Sequence, residues 1–389
     1  MDKPAKICRH FGECGGCRFQ DIPYDLQLQQ KEDRCRLLRD QAGLETELRP
    51  IVPSPGIHYY RNKMEFTFGD ENGRLACGLH RRDQNRSIFQ LSECLISSPD
   101  VGPIVEAVTA WARQSGLSAY HPYRHQGYWR NLVIRESKFS GGLLVNLITS
   151  SQGELDQEGL LADLESQPFG ARISSVLHTI NDSLSNAVIP QSWTTLKGEP
   201  FLDETISGLI FRILPFAFFQ VNPAIMEIFY REMKDILRLE GREKILDIFS
   251  GSGAIGLVLS REAESILGVE LDPEAVANGR FNAERNGLGN LDFLEGKAAR
   301  VLAENRHQWP GRFDLVIVNP PRSGISKKIA KRLRELAPDR IVYSSCNPET
   351  FFSQVELLAE THRPTILLPF DFFPHTPHLE MLAVFERLP

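Results

Sequence analysis

The sequence predicts an α/β chain in which a doubly wound, mostly parallel sheet follows a first domain of mixed α+β structure. Three observations lead to this prediction. From about residue 244 onward, short apolar runs alternate with helical segments, as they do when strands are buried on both faces. A glycine-rich turn, G-S-G-A-I-G, follows the first of these runs and opens a helix. Before residue 200, strands, a helix and further strands follow one another, which favours an α+β domain.

The length of the chain supports two domains. Its 389 residues exceed what one hydrophobic core usually serves, and the hydrophobic pattern changes near residue 200. We therefore expect residues 1–200 and 201–389 to form separate domains. For the first domain, the apolar periodicity predicts three strands, at 59–69, 127–136 and 142–149, and three helices, at 24–39, 98–116 and 154–165.

The second domain is predicted element by element from the same periodicity. After the stretch I-L-P-F-A-F-F-Q-V-N, Asn222 is suited to cap a helix that starts at Pro223. Seven strands are then predicted, at 244–249, 265–270, 291–294, 314–318, 340–344, 365–370 and 380–386. Helices are predicted between them at 273–287, 326–336 and 348–361.

Composition and charge exclude several classes of protein. No apolar run is long enough to cross a membrane, and the N-terminal M-D-K-P-A-K-I-C lacks the core of a secretory signal. We expect a cytoplasmic protein, whose seven cysteines serve metal binding or catalysis rather than disulfides. The net charge of −6 argues against nucleic-acid binding by bulk charge but leaves room for a local basic face.

Three cysteines near the N-terminus have the spacing of a metal site. Cys8, Cys14 and Cys17 form C-x5-C-x2-C, with two glycines that let the backbone turn tightly around a metal or cluster. A fourth ligand is needed, and Cys94 is preferred because it lies in a loop-like segment. The other candidates, in a predicted helix and a predicted strand, are Cys35 and Cys77. Four thiolates suit zinc and an iron–sulfur cluster equally well by ligand type alone.

A further cysteine stands at the end of a predicted strand. The segment R-I-V-Y-S-S-C-N-P begins as a buried strand, which must end at the Asn-Pro pair because Pro has no N–H for the ladder. Cys346 therefore lies just past the carboxyl end of a strand, the edge at which ligands bind in open α/β sheets. Its polar neighbours Ser344, Ser345 and Asn347 argue against a merely buried thiol and favour a functional one.

The glycine-rich turn indicates a nucleotide-type cofactor. Gly251, Gly253 and Gly256 form G-x-G-x-x-G, in which the glycines permit a tight turn and close approach of the backbone to a ligand. Glu270, at the end of the next predicted strand, is placed to bind ribose hydroxyls. This context alone does not separate a nicotinamide dinucleotide from S-adenosylmethionine, although D-I-F-S-G-S-G, starting at Asp247, is similar to the form found with S-adenosylmethionine.

Two more loops carry polar residues at predicted strand ends. Asn319 opens the loop N-P-P-R after an apolar run, which places an amide at the same edge of the sheet. Near the C-terminus, F-D-F-F-P-H-T-P-H-L-E leads to Glu380 at the start of the last strand. A carboxylate in this setting is suited to a raised pKa and to work as a base; the plain alternative is a solvated strand end. The aromatic residues of 370–373 are candidates for lining a pocket.

Together these motifs resemble the RNA uracil-C5 (5-methyluridine) methyltransferases, the family that modifies tRNA and 23S rRNA. The matching stretches are C-x5-C-G-G-C, Y-R-N-K, F-F-Q-V-N, D-x-F-x-G-x-G, N-P-P-R, S-C-N-P and F-P-H-T-x-H-x-E. The rRNA branch, which carries a 4Fe-4S cluster, is the most similar. The resemblance implies a Rossmann-like catalytic domain that uses S-adenosylmethionine, an RNA partner and a monomer.

The same resemblance implies roles for individual residues. Cys346 would be the nucleophile and Glu380 the base. The 4Fe-4S cluster, rather than zinc, would be held by Cys8, Cys14, Cys17 and Cys94. The residues that would bind S-adenosylmethionine are Gln220, Phe249, Gly251, Gly253, Glu270 and Asn319.

The sequence also departs from the family at several points. Many members begin with a small β-barrel RNA-binding domain, for which the position of Cys8 leaves no room, so we expect none here. Many members have Asp where Asn319 stands, and some have an Asn that contacts the cofactor where Ala254 stands. The segment 20–51 is a candidate to pack on the catalytic domain instead of the first domain.

Other functions stay open at this point. The substrate is expected to be 23S rRNA, with tRNA as the alternative. An exocyclic-amine methyltransferase also uses an N-P-P loop, but it would not need Cys346 and normally has an aromatic residue where Arg322 stands. A non-catalytic iron–sulfur RNA-binding protein would need neither S-C-N-P nor Glu380.

Overall fold

The computed structural model describes residues 6–184 and 190–389. They form two compact units. Unit 1 comprises the chain up to Pro23 together with Gly56–Glu204 and Arg212–Pro223; unit 2 comprises Tyr24–Pro55, Thr205–Phe211 and Ala224–Pro389. The segment 24–55 thus belongs to the same unit as the C-terminal half of the chain. Residues 1–5 and 185–189 of the predicted first domain lie outside the described part.

The regular elements are numbered here in chain order. The helices are α1 (Tyr24–Gln41), α2 (Val101–Gln114), α3 (Gln157–Ser166), α4 (Pro223–Leu237), α5 (Ala254–Leu259), α6 (Pro273–Arg285), α7 (Ala298–Glu304), α8 (Lys327–Leu336) and α9 (Pro348–Gln354). The strands are β1 (Lys63–Glu71), β2 (Arg74–Gly78), β3 (His80–Arg81), β4 (Gln84–Ile88), β5 (Trp129–Glu136), β6 (Leu143–Thr149), β7 (Ile173–Ile180), β8 (Ser192–Lys197), β9 (Leu202–Ile206), β10 (Leu209–Ile213), β11 (Lys244–Ile248), β12 (Ser265–Glu270), β13 (Leu291–Glu295), β14 (Leu315–Val318), β15 (Arg340–Ser345), β16 (His362–Phe370) and β17 (Glu380–Arg387).

Unit 1 is built on a six-stranded sheet in the order β2-β1-β5-β6-β7-β8. Its neighbouring strands are antiparallel except β6 and β7. Alternate residues such as Phe66, Leu132 and Val145 pack with apolar residues of α2 and α3 into one core. A sheet with its helices on one face is the α+β arrangement.

The first predicted strand of unit 1 begins later than its sequence suggests. The stretch 59–62 is not part of β1, because the N–H groups of Tyr59 and Arg61 bond to the carbonyls of Leu95 and Ile96. Tyr59 also has a φ of 53°, which no strand residue adopts. The local pattern of apolar residues could not reveal this pairing with a distant loop.

Unit 2 contains a seven-stranded sheet in the order β13-β12-β11-β14-β15-β17-β16. The first five strands in this order run parallel to one another, whereas β17 is antiparallel to both β15 and β16. Every residue of Leu315–Val318 is buried, as expected for a strand covered on both faces. The predicted doubly wound, mostly parallel sheet is therefore present, with a reversal at β11, where the chain order turns from one side to the other.

This topology brings several loops to one edge of the sheet. The parallel strands β11, β12, β14 and β15 all end there, and the antiparallel β17 begins there, because Ser345 at the end of β15 pairs with Met381. The loops after β11, β14 and β15 and the start of β17 are thus neighbours although they span more than a hundred residues of sequence.

The first segment of unit 2 packs on its last strands. α1 buries three polar or weakly polar side chains, Gln27, Lys31 and Cys35. Beyond it, the N–H groups of Arg49 and Val52 bond to carbonyls of β16. This segment therefore extends the far side of the sheet.

Two details of unit 2 differ from the sequence prediction. The predicted helix 348–361 ends earlier, since α9 stops at Gln354 and one 3-10 turn, Val355–Leu358, follows. The helix α7 was not predicted, being only seven residues long. Across the described residues, none of the helices has the length and apolar character needed to cross a membrane.

Candidate functional site

The turn after β11 is shaped for close approach of a ligand. Phe249 has a φ of 63° and Gly251 a φ of 56°; a positive φ in a bulky residue is a strained conformation that is typical of functional sites. A Cβ on Gly253 would stand 2.4 Å from the ring of Phe293, whereas one on Gly251 would meet nothing within 4 Å. Gly253 is thus needed for packing, and Gly251 faces open space.

Glu270 ties this turn to the end of β12. Its Oε2 accepts a hydrogen bond from the N–H of Gly251 at 2.9 Å, and its Oε1 accepts from Leu271 and Asp272 at 2.6 and 3.0 Å. A carboxylate has about four acceptor positions. Glu270 can therefore hold the turn and still accept a bond from a ligand hydroxyl.

Two buried polar atoms beside the turn have unused hydrogen-bonding capacity. Oδ1 of Asp247 and Oγ of Ser250 are buried without a hydrogen-bond partner among the described residues. Burial raises the pKa of Asp247 to about 7; the N–H of Gly256 opposes this shift and the charge of Glu270 adds to it. Native proteins seldom leave buried polar atoms unpaired, so these atoms mark a place where a ligand group is expected.

The N-P-P-R loop follows β14 at the same edge of the sheet. The N–H of Asn319 lies 3.5 Å from the carbonyl of Ile248, next to the glycine turn. Three residues on, the carbonyl of Arg322 accepts from the side-chain amide of Asn347 at 3.4 Å. Its guanidinium lies 3.5 Å from Nδ1 of His378 and lowers the pKa of the Cys346 thiol. The loop therefore connects the glycine turn to the predicted nucleophile.

Cys346 directly follows β15 and is partly exposed. Burial raises the pKa of its thiol and the charge of Glu380 raises it further, whereas the hydrogen bond and charge of Arg322 lower it. The next residue, Asn347, caps α9 by accepting from the N–H of Thr350 at 3.3 Å. An accessible thiol beside a guanidinium and at a fixed strand end is suited to act as a nucleophile.

Glu380 is not the solvated strand end that was the plain alternative. Its side chain is 1% exposed, and its Oε1 accepts from the hydroxyl of Ser344 at 2.5 Å. Its Oε2 is buried without a hydrogen-bond partner among the described residues. Burial raises the pKa of this carboxyl to about 7, although the Ser344 bond opposes the shift. A carboxylate with one free oxygen and a pKa near neutrality has the properties of a general base.

Helix α1 holds the loop that leads into Glu380. The ammonium of Lys31 donates to Oδ1 of Asp371 at 2.6 Å and to the carbonyl of Phe373 at 3.1 Å, with both charged side chains almost completely buried. The hydroxyl of Tyr24 donates to the other oxygen of Asp371 at 3.0 Å. A buried ion pair of this kind gains little net stability but fixes the geometry of the groups it joins.

Two further contacts of α1 act on the same loop. Gln27 accepts from the N–H of His375 at 2.9 Å and lies 3.2 Å from its Nδ1. Arg34 donates to the carbonyl of Pro377 at 2.8 Å. His375 has a φ of 66°, a conformation that a β-carbon makes costly. The loop before Glu380 is therefore held in a strained shape by a helix more than three hundred residues away in sequence.

The aromatic residues of this loop do not all line a pocket, contrary to the sequence interpretation. The rings of Phe370 and Phe372 are buried and pack edge-on against Phe229 of α4, at centroid distances of 5.0 and 5.6 Å. Phe373 alone among the three phenylalanines of 370–373 is partly exposed. The apolar run 370–373 thus serves mainly the core of unit 2.

Gln220 belongs to unit 1, whereas the other predicted cofactor residues belong to unit 2. Its carbonyl accepts from the side chain of Asn62 at 3.1 Å, and the carbonyl of Val221 accepts from the N–H of the same residue at 2.9 Å. The motifs Y-R-N-K and F-F-Q-V-N therefore meet within unit 1. Phe218, two residues before Gln220, is 74% exposed, which is unusual for a phenylalanine.

The four predicted cluster cysteines all lie in unit 1, where Cys17 and Cys94 share one small apolar cluster. Burial raises the pKa of Cys94 to about 12, and the charges of Cys17, Cys14 and Cys8 raise it further. Burial likewise raises the pKa of Cys17 to about 11, with the charges of Cys14 and Cys8 adding to the shift. The two alternative ligands lie elsewhere: Cys35 is in the core of unit 2, and Cys77 is in the main core of unit 1.

Hydrogen bonds to Cys14 and Cys17 hold the loop that carries three of these thiols. The N–H of Gly16 points to Sγ of Cys14 at 3.3 Å, and Arg82 donates to the carbonyl of Cys17 at 2.7 Å while lying over the ring of Phe11. Even so, within residues 6–184 and 190–389 no group of three or more Cys, His, Asp and Glu side chains is placed to hold a single metal ion.

Comparison with known proteins identifies the family. The family described as tRNA (Uracil-5-)-methyltransferase matches residues 201–388. An RNA methyltransferase of Caldanaerobacter subterraneus subsp. tengcongensis is 36% identical over 98% of this chain and 84% of its own length, and one of Clostridium tetani is 37% identical over 99% and 85%. The chain belongs to the RNA uracil-C5 methyltransferase family.

A solved structure agrees with this membership of the methyltransferase family. The tRNA (uracil-54, C5)-methyltransferase of Pyrococcus abyssi, in complex with S-adenosyl-L-homocysteine, superposes with a TM-score of 0.77 and 28% sequence identity, covering 98% of this chain and 86% of its own. This methyltransferase therefore uses S-adenosylmethionine and acts on RNA. The open space at Gly251 and the unpaired atoms of Asp247 and Ser250 fit such a cofactor.

Sequence reasoning assigned no role to several residues of this methyltransferase site. Arg322 had a signal, since it completes the N-P-P-R motif, but its contact with Cys346 depends on how two loops fold together. Ser344 also lay inside a noted motif, and its bond to Glu380 requires the pairing of β15 with β17. Lys31 had no signal at all, because a lysine in a charged helix normally faces water.

Proposed function

We propose that this methyltransferase forms 5-methyluridine in 23S rRNA and that Cys346 and Glu380 carry out the chemistry. The single observation that most supports this proposal is the buried, unpaired Oε2 of Glu380 at the edge of the sheet where Cys346 emerges. A buried carboxylate oxygen left unpaired costs free energy, and a proton-abstracting role gives a reason to keep it.

The chemistry requires a nucleophile because C5 of uracil is too weak a nucleophile by itself. In the proposed cycle the thiolate of Cys346 adds to C6 of the ring, so that negative charge spreads over O4 and C5. Bound S-adenosylmethionine supplies an electrophilic methyl group. Arg322 favours the thiolate over the thiol by its charge and hydrogen bond.

The base is needed in the second half of the cycle. Once C5 carries the methyl group, its proton must leave before the C6–S bond can break and release the thiol. In the proposal Glu380 accepts this proton on Oε2, while Ser344 holds Oε1 and α1 keeps the preceding loop in shape. Because the target base must leave its stack to reach a thiol at a sheet edge, we expect base flipping.

The cofactor residues follow from the same proposal. Glu270 would bind ribose hydroxyls, and Phe249, Gly251, Gly253 and Asn319 would form the walls of the cofactor site at the carboxyl edge of the sheet. Gln220, in unit 1, is proposed to contact the cofactor as well. The exposed ring of Phe218 beside it is suited to stack on an unpaired base.

The four cysteines Cys8, Cys14, Cys17 and Cys94 are proposed to hold a 4Fe-4S cluster. Their mutual electrostatic effects support this donor set. In such a cluster each cysteine binds a different iron atom, so the sulfurs need not stand as close together as around one ion.

The choice of 23S rRNA rests on the cysteine cluster, which resembles that of the rRNA branch. A second candidate is tRNA, because the Pyrococcus abyssi relative is a tRNA (uracil-54, C5)-methyltransferase. We propose a monomer that acts in the cytoplasm, where both kinds of RNA are found.

The proposal is tested by methyl transfer with radiolabelled S-adenosylmethionine. The protein, purified without oxygen, is incubated with transcripts of 23S rRNA and of tRNA, and the products are digested to nucleosides. We expect labelled 5-methyluridine from 23S rRNA alone. Label in tRNA would favour the second candidate, label in an exocyclic amine would point to different chemistry, and no label in either RNA would contradict the proposal.

A further inference from the structure

Helix α8 presents a cluster of cations beside the N-P-P-R loop. From Arg322 to Arg334 the sequence R-S-G-I-S-K-K-I-A-K-R-L-R contains six cations and no acid, in a chain whose net charge is −6. Within this run, Lys327, Lys328 and Lys331 are exposed. We call these three residues the lysine patch.

The lysine patch has few internal partners. Neither Lys327 nor Lys328 forms an ion pair or hydrogen bond with any part of the chain that the structure describes, and Lys331 only approaches Glu335, at 3.9 Å on the surface. The next two cations of the helix differ, because Arg332 pairs with Glu335 and Arg334 pairs with Glu360 at 3.3 Å. The patch is therefore free to bind something else.

The position of these lysines is unfavourable for the helix itself. Lys327 and Lys328 occupy its first turn, which contains no acid, so their charges lie at the positive end of the helix dipole. Lys327 and Lys331 are also like charges four residues apart, which destabilises a helix. A cost in stability at three neighbouring positions suggests that the positive charge serves binding.

The loop before α8 fixes the patch relative to Cys346. Gln354 of α9 accepts from the N–H of Ile325 at 2.9 Å and donates to the carbonyl of Ser323 at 3.1 Å. Arg322, whose carbonyl accepts from the side chain of Asn347 directly after Cys346, is five residues before Lys327, a span of at most about 18 Å. The patch is thus held within a few nucleotide lengths of the proposed nucleophile.

We propose that the lysine patch binds the phosphate groups of the RNA strand next to the target uridine. This inference rests on the proposed function and extends it to how the substrate is held. A polyanion is the partner that matches three exposed lysines of which only Lys331 approaches an acid, and the patch lies at the edge of the sheet from which Cys346 must reach its base. The lysines contribute affinity without reading sequence.

The test compares the wild-type chain with the variant Lys327→Ala/Lys328→Ala/Lys331→Ala. Binding of the RNA transcript that the wild type methylates is followed by fluorescence anisotropy from 50 to 200 mM KCl. If the three lysines contact phosphates, the slope of log affinity against log salt should fall in magnitude by about 2 to 3, at roughly 0.7 to 0.9 per contact. KM for RNA should rise, while kcat and the affinity for S-adenosylmethionine should stay at wild-type values.

Thermal unfolding separates binding from a structural role. Because the lysines oppose the helix dipole, the triple alanine variant should unfold at the same temperature as the wild type or higher. The variant with three arginines in their place should keep the salt dependence. A lowered unfolding temperature together with lost S-adenosylmethionine binding would assign the lysines to the fold and overturn the inference.

A matched control removes the same charge from the opposite edge of the sheet. Arg242, Lys244 and Arg312 lie just before or at the start of β11 and β14, so the variant Arg242→Ala/Lys244→Ala/Arg312→Ala tests bulk charge alone. An equal loss of salt dependence in both variants, or none in the patch variant, would overturn the inference. A wild type that methylates no RNA would instead refute the proposed function.

Discussion

The two sets of thiols in this protein lie in different electrostatic settings, although burial raises the pKa of both. In unit 1, the charges of neighbouring thiols raise the pKa of Cys14, Cys17 and Cys94 beyond the effect of burial. In unit 2, Cys346 faces Arg322, which lowers the pKa of its thiol against burial and the charge of Glu380. Thiolates crowded together are stabilised by a bound metal, whereas the guanidinium beside Cys346 offsets part of the rise in pKa that burial and Glu380 cause.

Neighbouring groups, more than exposure, distinguish the surroundings of these thiols. Cys94 and Cys346 are both partly exposed. They differ in that one faces three further thiols and the other a cation and a carboxylate.

The largest effect is expected at the proposed nucleophile and base. Cys346→Ala should abolish methyl transfer and leave no protein–RNA adduct, because no other thiol lies beside Arg322 among the described residues. In Glu380→Gln, the thiol of Cys346 should still add to uracil and C5 of the ring should still receive the methyl group. The C5 proton should then be removed only poorly, because a neutral amide is a very poor base. This variant should therefore accumulate protein covalently linked to methylated RNA, seen as a slow, nuclease-sensitive band on a denaturing gel.

The control for this pair is the double variant Cys346→Ala/Glu380→Gln, which should show no adduct. An adduct that survives Cys346→Ala would mean that another thiol is the nucleophile, with Cys8, Cys14 and Cys17 the first to examine. Turnover of Glu380→Gln at the wild-type rate would remove Glu380 from the proposed mechanism.

The next largest effect is expected at the thiol cluster. Protein purified without oxygen should contain about four iron and four sulfide per chain, and Cys94→Ala should lose most of both. Cys35→Ala and Cys77→Ala should keep them, because these cysteines lie in hydrophobic cores. Iron and sulfide are measured chemically, and the brown absorption follows the cluster.

Stoichiometric zinc without iron in the wild type would contradict the iron–sulfur proposal while leaving the four-thiol site intact. Equal loss of iron in Cys77→Ala and Cys94→Ala would instead contradict the assignment of Cys94 as a ligand and of Cys77 as a core residue.

A third effect concerns stability as a function of pH. The carboxyl of Glu380 has a pKa raised from 4.5 to about 7 in the folded protein. Between these values the unfolded chain releases its proton while the folded chain retains it, so this group makes stability fall as pH rises through the window, by up to about 3 kcal/mol. Glu380→Gln should therefore gain stability relative to the wild type at pH 8 but not at pH 4.

Denaturant titrations at both pH values measure this difference. The matched control is Glu335→Gln, an exposed acid on α8, whose effect on stability should be small at either pH. A Glu380→Gln variant that is less stable than the wild type at pH 8 would mean that the ionised carboxylate has a stabilising partner in the folded protein.

The smallest of these effects is expected at Arg322. Arg322→Met removes the charge that lowers the pKa of the Cys346 thiol, so the pKa of this thiol should rise further. In Arg322→Met, the rate of alkylation of Cys346 by iodoacetamide should decrease at pH 7 and recover at higher pH. The rate for Arg322→Lys should be intermediate between those of the wild type and Arg322→Met. An unchanged alkylation profile would remove Arg322 as the group that distinguishes Cys346 from the cluster thiols.

Much of the catalytic unit follows from local sequence. Strand and helix patterns from β11 to β17, the glycine turn and the strand end at Cys346 are all set by residues close together in the chain, since periodicity and breakers act locally. The same holds for the three clustered cysteines. These features required no knowledge of distant contacts.

Other features depend on contacts between distant segments. The placement of β17 between β15 and β16 buries Glu380 and brings it to Ser344, 36 residues away in the chain. Packing of α1 on the loop before β17 joins Lys31 to Asp371 across 340 residues. No local pattern encodes such pairs, because burial of a charged side chain is decided by what finally covers it.

The sequence by itself determined the chemistry available to this protein: a thiol, a carboxylate, a glycine turn and a set of cysteines in recognisable spacing. Only the tertiary structure decided the state of those groups. Among the described residues it left Oε2 of Glu380 buried without a hydrogen-bond partner, and it placed the charge of Arg322 where it acts on Cys346. The physical reason is that reactivity depends on desolvation and neighbouring charge, and both are properties of the folded surroundings.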